Sequence, residues 1–205
     1  MSEDAAKFAS DGYAVLRGLL ERPACSFLHN YALTSADAGQ FHGKDPAIPD
    51  TPVCYGDPFM ESLLELLLPR IERQSGRSVL PTYSYFRIYK RGDVLARHTD
   101  RPACEISVTL SLGYQADRPW PIWIDVRGAA IRVDLEPGDA LLYRGIDIPH
   151  WRDAFDGGHS LQVFLHYVDR DGSRAEWAFD KRAALRTSDA SRHLLTRLMN
   201  AADQG

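Results

Sequence analysis

The chain has 205 residues, and 24 Lys and Arg against 28 Asp and Glu give it a formal net charge of -4 and a pI near 6.0. This length is enough for one sizeable domain with a hydrophobic core, and the composition is ordinary for a globular protein. The mild negative charge and the scattered basic residues argue against nucleic acid or an anionic membrane as a partner.

The cysteines and the apolar runs bear on the cellular compartment. Cys25, Cys54 and Cys104 are far apart and odd in number, and no CxxC pair occurs, which argues against structural zinc and a disulfide framework. Residues 1–4 are acidic, without the apolar core of a signal peptide. The longest aliphatic run, residues 63–68, is too short to span a bilayer. We therefore expect a cytoplasmic protein.

The first part of the chain, residues 1–80, predicts a helical layer. Residues 4–9 are expected to form a helix and residues 12–17 a short strand. Residues 21–32 predict a second helix, because their apolar side chains fall on one face.

A Gly-, Pro- and Asp-rich loop is expected over residues 35–57. A loop of this length in a compact domain is typically functional, for example as a lid, or disordered, and a plain surface loop is the alternative. Residues 59–74 predict an amphipathic helix that ends at Gly76. Pro69 is expected to kink or divide it.

From about residue 82 to 168 the pattern changes to short strands separated by turns. The predicted strands are residues 83–89, 105–112, 121–126, 130–135, 140–143 and 160–168. Such a series predicts a β-sandwich or jelly roll. With a helical tail over residues 176–205, the chain is predicted to be a single domain, mainly β with flanking helices.

A metal site is suggested by His98, Asp100 and His150. Residues two apart in a strand point to the same face, so His98 and Asp100 can hold one ion while Thr99 points away. A distant His150 would supply the third ligand. Two His and one carboxylate on one side of a metal leave positions open, as in non-haem Fe(II) oxygenases. Alternatively, His98 and Asp100 are surface residues and His150 packs in the core.

Several further features accompany this triad. They are Tyr89 and Gly92 upstream of the motif, the turn Glu136-Pro137-Gly138-Asp139 before His150, and the leading segment 11–18. Together they resemble the 2-oxoglutarate/Fe(II)-dependent dioxygenases, and most of all their prolyl-4-hydroxylase-like branch, over about residues 83–168.

The resemblance implies a double-stranded β-helix core, of the jelly-roll or cupin-like type, with Fe(II) held by His98, Asp100 and His150. It also implies 2-oxoglutarate as co-substrate, dioxygen, and hydroxylation of a C–H bond of a small-molecule or peptide substrate. Halogenating relatives leave the carboxylate position free for chloride, so Asp100 favours hydroxylation.

One family feature is missing. Such enzymes usually bind the far carboxylate of 2-oxoglutarate with an Arg or Lys about ten residues after the distal His, a good match for a carboxylate. Neither residue occurs there in this chain. His159 stands nearly at that position, and Gln162 or His166 can substitute from further along the strand.

Arg87 is another candidate anchor. Tyr83, Tyr85, Arg87 and Tyr89 share one strand face, and if that face lines the barrel, Arg87 supplies the positive charge and Tyr89 a hydroxyl. Arg144 is a further option, and a surface ion pair is the alternative role for Arg87.

Because the usual anchor is absent, two other functions stay open. They are a cupin-type metalloenzyme that does not use 2-oxoglutarate and a non-catalytic jelly-roll binding module.

Overall fold

The computed structural model describes residues 2–41, 43, 48, 50–51 and 53–200. Residues 42, 44–47, 49 and 52 of the predicted 35–57 loop lie outside these residues, and the role of the loop as a lid stays a prediction. Within the described residues, no helix is both long and apolar enough to cross a membrane.

In the described part of the chain, four α-helices flank the β-structure: α1 (Glu3–Asp11), α2 (Arg22–Asp37), α3 (Pro58–Ser75) and α4 (Asp189–Asn200). The side chain of Ser2 accepts a hydrogen bond from the amide of Ala5 at the start of α1. Asp57 caps α3 in the same way. Gly12 and Gly76 end α1 and α3 in the left-handed conformation, which glycine adopts without a steric cost.

Helix α3 continues through Pro69, so this proline does not divide the helix, and the alternative, a kink, stays a prediction. A proline inside a helix costs about 3 kcal/mol. Leu63, Leu64, Leu67 and Ile71 of the same helix are completely buried, and each contributes roughly 1.5–3 kcal/mol. Packing of this face therefore outweighs the local cost of the proline.

Among the residues that the structure describes, ten strands form the β-structure: β1 (Tyr13–Leu16), β2 (Val53–Tyr55), β3 (Val79–Lys90), β4 (Leu95–His98), β5 (Ile106–Gln115), β6 (Ile122–Val126), β7 (Ala129–Val133), β8 (Ala140–Tyr143), β9 (His150–Arg152) and β10 (His159–Asp169). A six-stranded sheet has the order β1-β8-β5-β10-β3-β2, and a four-stranded sheet has the order β4-β9-β6-β7. The paired strands are antiparallel. Strands β3 to β10 divide between the two sheets as in a double-stranded β-helix, so the predicted fold class is confirmed.

The large sheet separates an apolar layer from a polar interior. Leu161, Val163 and Leu165 of β10 pack with the helices in the main hydrophobic core. The alternate residues Phe164 and His166 line a cavity inside the barrel. The period of two along a strand thus directs polar and aromatic side chains inward.

Two segments differ from their predicted secondary structure. Strand β2 lies within the predicted 35–57 loop and pairs with the edge of β3. The predicted C-terminal helix is divided: a 3₁₀ segment covers Ala175–Lys181, and α4 starts only at Asp189. Asp180 in the 3₁₀ segment has a φ of 56°, so a continuous α-helix cannot pass through it.

Candidate functional site

His98, Asp100 and His150 come together at the end of strands β4 and β9. His98 and His150 are direct partners in the antiparallel register. The Nε2 atoms of His98 and His150 lie 3.7 and 3.6 Å from the same Asp100 oxygen, Oδ1. Strand β4 ends at His98, and Asp100 is placed instead by its amide, which donates to the carbonyl of Gly145 at 2.9 Å.

Both imidazoles are fixed by backbone carbonyls. Nδ1 of His98 lies 2.8 Å from the Ala96 oxygen, and Nδ1 of His150 lies 3.0 Å from the Ile148 oxygen. Because a carbonyl only accepts, Nδ1 must donate in each case. The lone pair of each neutral ring is then on Nε2, the atom that faces Asp100, which is the orientation that metal-binding histidines require.

The charges at this site suit a cation. Burial, to which a protonated His98 would add, lowers the pKa of His150 to about 3, so this imidazole is neutral and able to coordinate. Burial raises the pKa of Asp100, although His166 and His98 oppose this shift. A bound dication would offset the cost of burying the carboxylate. The three residues therefore fit a divalent metal such as Fe(II).

The triad opens into a cavity of about 420 Å³. Its wall is largely aromatic and includes Tyr55, Tyr83, Tyr85, Tyr89, Tyr143 and Phe164. Two arginines, Arg87 and Arg101, also line it. A cavity with apolar walls and a few polar groups is typical of a small-molecule site.

Arg87 and Tyr89 lie where the alternation of β3 predicts. Both are 1% exposed, and both line the cavity with Tyr83 and Tyr85. The Arg87 guanidinium donates to the Tyr85 hydroxyl at 2.8 Å and lies 5.2 Å from the centre of the Tyr89 ring. The interior therefore holds a buried guanidinium beside phenol groups.

His159 lies elsewhere. It shares a strand face with Leu161 and Val163, which pack under the helices, and its Nε2 is 3.1 Å from Nε2 of His29 in α2. It does not line the cavity. This placement argues against His159 as the co-substrate anchor, and the reason is the inward-outward alternation of β10.

The remaining anchor candidates have separate surroundings. Gln162 points into the barrel but behind the cavity wall, where its amide donates to Ser160 at 3.1 Å. His166 lines the cavity, and its Nδ1 lies 2.9 Å from the Ser107 hydroxyl. Arg144 stacks on Phe8 of α1 and lies outside the cavity lining.

The sequence reasoning missed Arg152. This side chain is 1% exposed and donates to the Trp120 carbonyl at 2.5 Å and to Gln162 at 3.3 Å. In the part of the chain that the structure describes, no carboxylate forms an ion pair with it, and burial lowers its pKa to about 10. Arg152 is two residues after His150, so strand alternation alone placed it inside the barrel.

The C-terminal segment contacts two residues of the cavity wall. Asp180 accepts hydrogen bonds from both terminal nitrogens of Arg101, at 2.7 and 2.8 Å, and from the Tyr55 hydroxyl at 2.5 Å. Arg101 directly follows Asp100 of the triad and stacks on Tyr83 at 4.4 Å. The segment is thus tied to residues that line the cavity.

Comparison with known proteins supports the fold. A scan against models of protein families finds no match, and no curated protein matches the sequence. Among solved structures, a prolyl-4-hydroxylase from Pseudomonas putida is 17% identical, with a TM-score of 0.67 over 81% of this chain and 97% of that chain. EctD from S. alaskensis with 2-oxoglutarate and 5-hydroxyectoine is 17% identical, with a TM-score of 0.69 over 92% of this chain and 87% of that chain.

A third similar structure is the epimerase SnoN with Fe3+, alpha ketoglutarate and nogalamycin RO. It is 13% identical, with a TM-score of 0.68 over 80% of this chain and 82% of that chain. At these identities the similarity establishes a shared fold, and the activity has to be argued from the site.

Proposed function

We propose that this protein is a non-haem Fe(II), 2-oxoglutarate-dependent dioxygenase that hydroxylates a C–H bond of a small-molecule or peptide substrate. The observation that carries the proposal is the triad of His98, Asp100 and His150, with both Nε2 atoms fixed toward one carboxylate oxygen. Three ligands on one side of an iron ion leave positions for co-substrate and dioxygen. Solved structures of the same fold contain iron and 2-oxoglutarate.

The protein groups in this proposal have separate roles. His98, Asp100 and His150 hold the iron, and the Ala96 and Ile148 carbonyls keep the two imidazoles in the coordinating tautomer. Iron, when bound with 2-oxoglutarate, supplies the activation of dioxygen that is coupled to decarboxylation of the co-substrate to succinate. The aromatic wall excludes water and orients the substrate beside the triad.

Arg87 is the proposed anchor of the far carboxylate of 2-oxoglutarate. It is buried, it lines the cavity, and its guanidinium can bind a carboxylate through two parallel hydrogen bonds. Tyr89 beside it supplies a hydroxyl. Because Arg87 is a register partner of Gln162, and Arg152 donates to Gln162, the two arginines converge on one region of the interior.

Arg152 is proposed as a second, indirect contributor. Ser160 stands about where related enzymes place the anchoring Arg or Lys. Ser160 accepts from Gln162, which in turn accepts from Arg152. Arg152, on β9, thus supplies the positive charge that a residue of β10 would otherwise bring to this region. A buried cation without an anionic partner is costly, and a bound dicarboxylate would offset that cost.

A cupin-type metalloenzyme is the second candidate, because Ser160 departs from the usual anchor. Anaerobic addition of Fe(II) and then 2-oxoglutarate separates the candidates. A weak visible charge-transfer band that needs both additions supports the dioxygenase. Iron binding without the band favours the cupin-type enzyme, and no iron binding favours a binding module. The His98→Ala variant is the control that should give no band.

A further inference from the structure

We infer that Asp100, Cys104 and His166 form a second divalent-metal site, which takes Zn²⁺ and shares Asp100 with the triad. One ligand atom from each of these three residues lies within 4.8 Å of the other two. The ligand atoms of His98, Asp100 and His150 lie within the same distance of one another. The inference concerns metal binding and does not depend on the proposed oxygenase activity.

The second cluster is accessible to an ion from inside the barrel. Cys104 and His166 are 2% and 5% exposed, and both line the cavity together with Asp100. An ion that enters the cavity mouth can therefore reach either set of ligands. Burial on the other sides would keep water from competing with the protein ligands.

The two oxygens of Asp100 face different groups. Oδ1 is the atom near His98 and His150. Oδ2 accepts from the Ser107 hydroxyl at 3.1 Å, and that hydroxyl lies 2.9 Å from Nδ1 of His166. Asp100 can thus present one oxygen to each metal site, and the Ser107 hydroxyl holds the His166 ring in place.

The ligand set favours zinc. One thiolate, one imidazole and one carboxylate match the ligands of Zn²⁺, and three protein ligands leave a fourth tetrahedral position for water. As the Zn–S bond forms, the Cys104 thiol loses its proton to solvent, so binding releases one proton. The Tyr83 hydroxyl lies 3.1 Å from the sulfur and can donate to the resulting thiolate.

Cobalt(II) is a suitable probe, because a thiolate ligand gives Co²⁺ an intense near-ultraviolet charge-transfer absorption that nitrogen and oxygen ligands do not give. The experiment uses metal-free full-length protein that carries His98→Ala, which disables the first triad. Titration with Co²⁺ should produce this absorption at one ion per chain. Added Zn²⁺ should then abolish it stoichiometrically.

Variants test the ligand assignment. In the same background, Cys104→Ser or His166→Asn should weaken Zn²⁺ binding at least about tenfold, since even residues behind a ligand contribute that much, and Cys104→Ser should remove the thiolate absorption. Cys54→Ser is the matched control, because Cys54 is half-buried outside the cavity lining, and it should change neither property. Far-ultraviolet circular dichroism checks the fold of each variant. Co²⁺ binding without the thiolate absorption, or an absorption that survives Cys104→Ser, would overturn the inference.

Discussion

His98 and His150 face each other across β4 and β9, and each bonds its Nδ1 to the carbonyl of the residue two positions earlier in the chain. The two rings are 4.3 Å apart, centre to centre. The backbone therefore sets the tautomer and the direction of both imidazoles before any metal binds. Such preorganisation is expected of a metal site, and not of two histidines that merely pack together.

Removal of a triad ligand should abolish iron binding and 2-oxoglutarate turnover. His98→Ala and Asp100→Ala each delete one of three ligands, while circular dichroism should stay close to that of the wild type. Iron content and succinate formation are the measurements. His193→Ala on the exposed side of α4 is the control, and it should retain both. Full turnover in either ligand variant would refute the triad assignment.

Arg87→Met should raise the 2-oxoglutarate concentration needed for half-maximal turnover at least tenfold, because a lost charged hydrogen bond costs about 1.5–3 kcal/mol. Arg87→Lys should recover part of the loss, since the charge remains without the paired geometry. Arg152→Met should have a smaller effect in the same direction.

His159→Ala is the matched control for this series, because His159 contacts His29 under the helices. Its 2-oxoglutarate requirement should equal that of the wild type. If His159→Ala raised the requirement and Arg87→Met did not, the proposed anchor would be wrong.

The metal-free protein should lose stability as the pH falls from about 6.5 toward 4. Burial lowers the pKa of His150 to about 3 and that of His166 to about 4, against 6.5 when exposed. The unfolded chain binds these protons first, so each histidine reduces the free energy of unfolding by up to about 1.4 kcal/mol per pH unit in this range. The raised pKa of Asp100 acts in the opposite sense and offsets part of the loss.

Urea denaturation of the metal-free protein at several pH values between 4.5 and 7 measures this slope. His166→Asn should make the slope shallower, because it removes one of the two groups. A free energy of unfolding that does not change over this pH range would contradict the burial of neutral imidazoles in the barrel.

The parts of the site that the sequence predicts are those that strand alternation controls. Tyr83, Tyr85, Arg87 and Tyr89 line the cavity as their spacing requires. The sequence distance from His150 makes His159 a candidate anchor, but the register of β10 turns it to the other face. The same alternation, applied from His150, is enough to place Arg152 inside the barrel.

No local sequence pattern predicts the contact between Arg101 and Asp180. The two residues are 79 apart in sequence, and Asp180 lies in an irregular segment with positive φ values. Pairing of this kind depends on how the C-terminal segment packs after the barrel has formed, and no periodic pattern encodes it.

Asp180→Ala should release the C-terminal segment from Arg101 and Tyr55 of the cavity wall. The variant loses the hydrogen bonds from Arg101 and Tyr55, which together stabilise the fold by on the order of 1 kcal/mol because Arg101 is partly exposed. Limited proteolysis should cut faster between residues 175 and 188. The control is Asp189→Ala, whose carboxylate is almost fully exposed. Equal cleavage rates in the two variants would show that Asp180 does not hold this segment.

Gly145→Ala should weaken iron binding although Gly145 is not a ligand. A Cβ at this position would clash with Oδ2 of Asp100 and would lie 2.6 Å from both the Cys104 carbonyl oxygen and the Ser107 hydroxyl. The amide of Asp100 also donates to the Gly145 carbonyl, so the added methyl group must displace the carboxylate that completes the triad. Iron affinity by competition with a chelator should fall at least about tenfold, as for other residues that support a ligand. Circular dichroism checks that the barrel is retained, and an unchanged iron affinity in a folded variant would show that Asp100 is not held in place by this close packing.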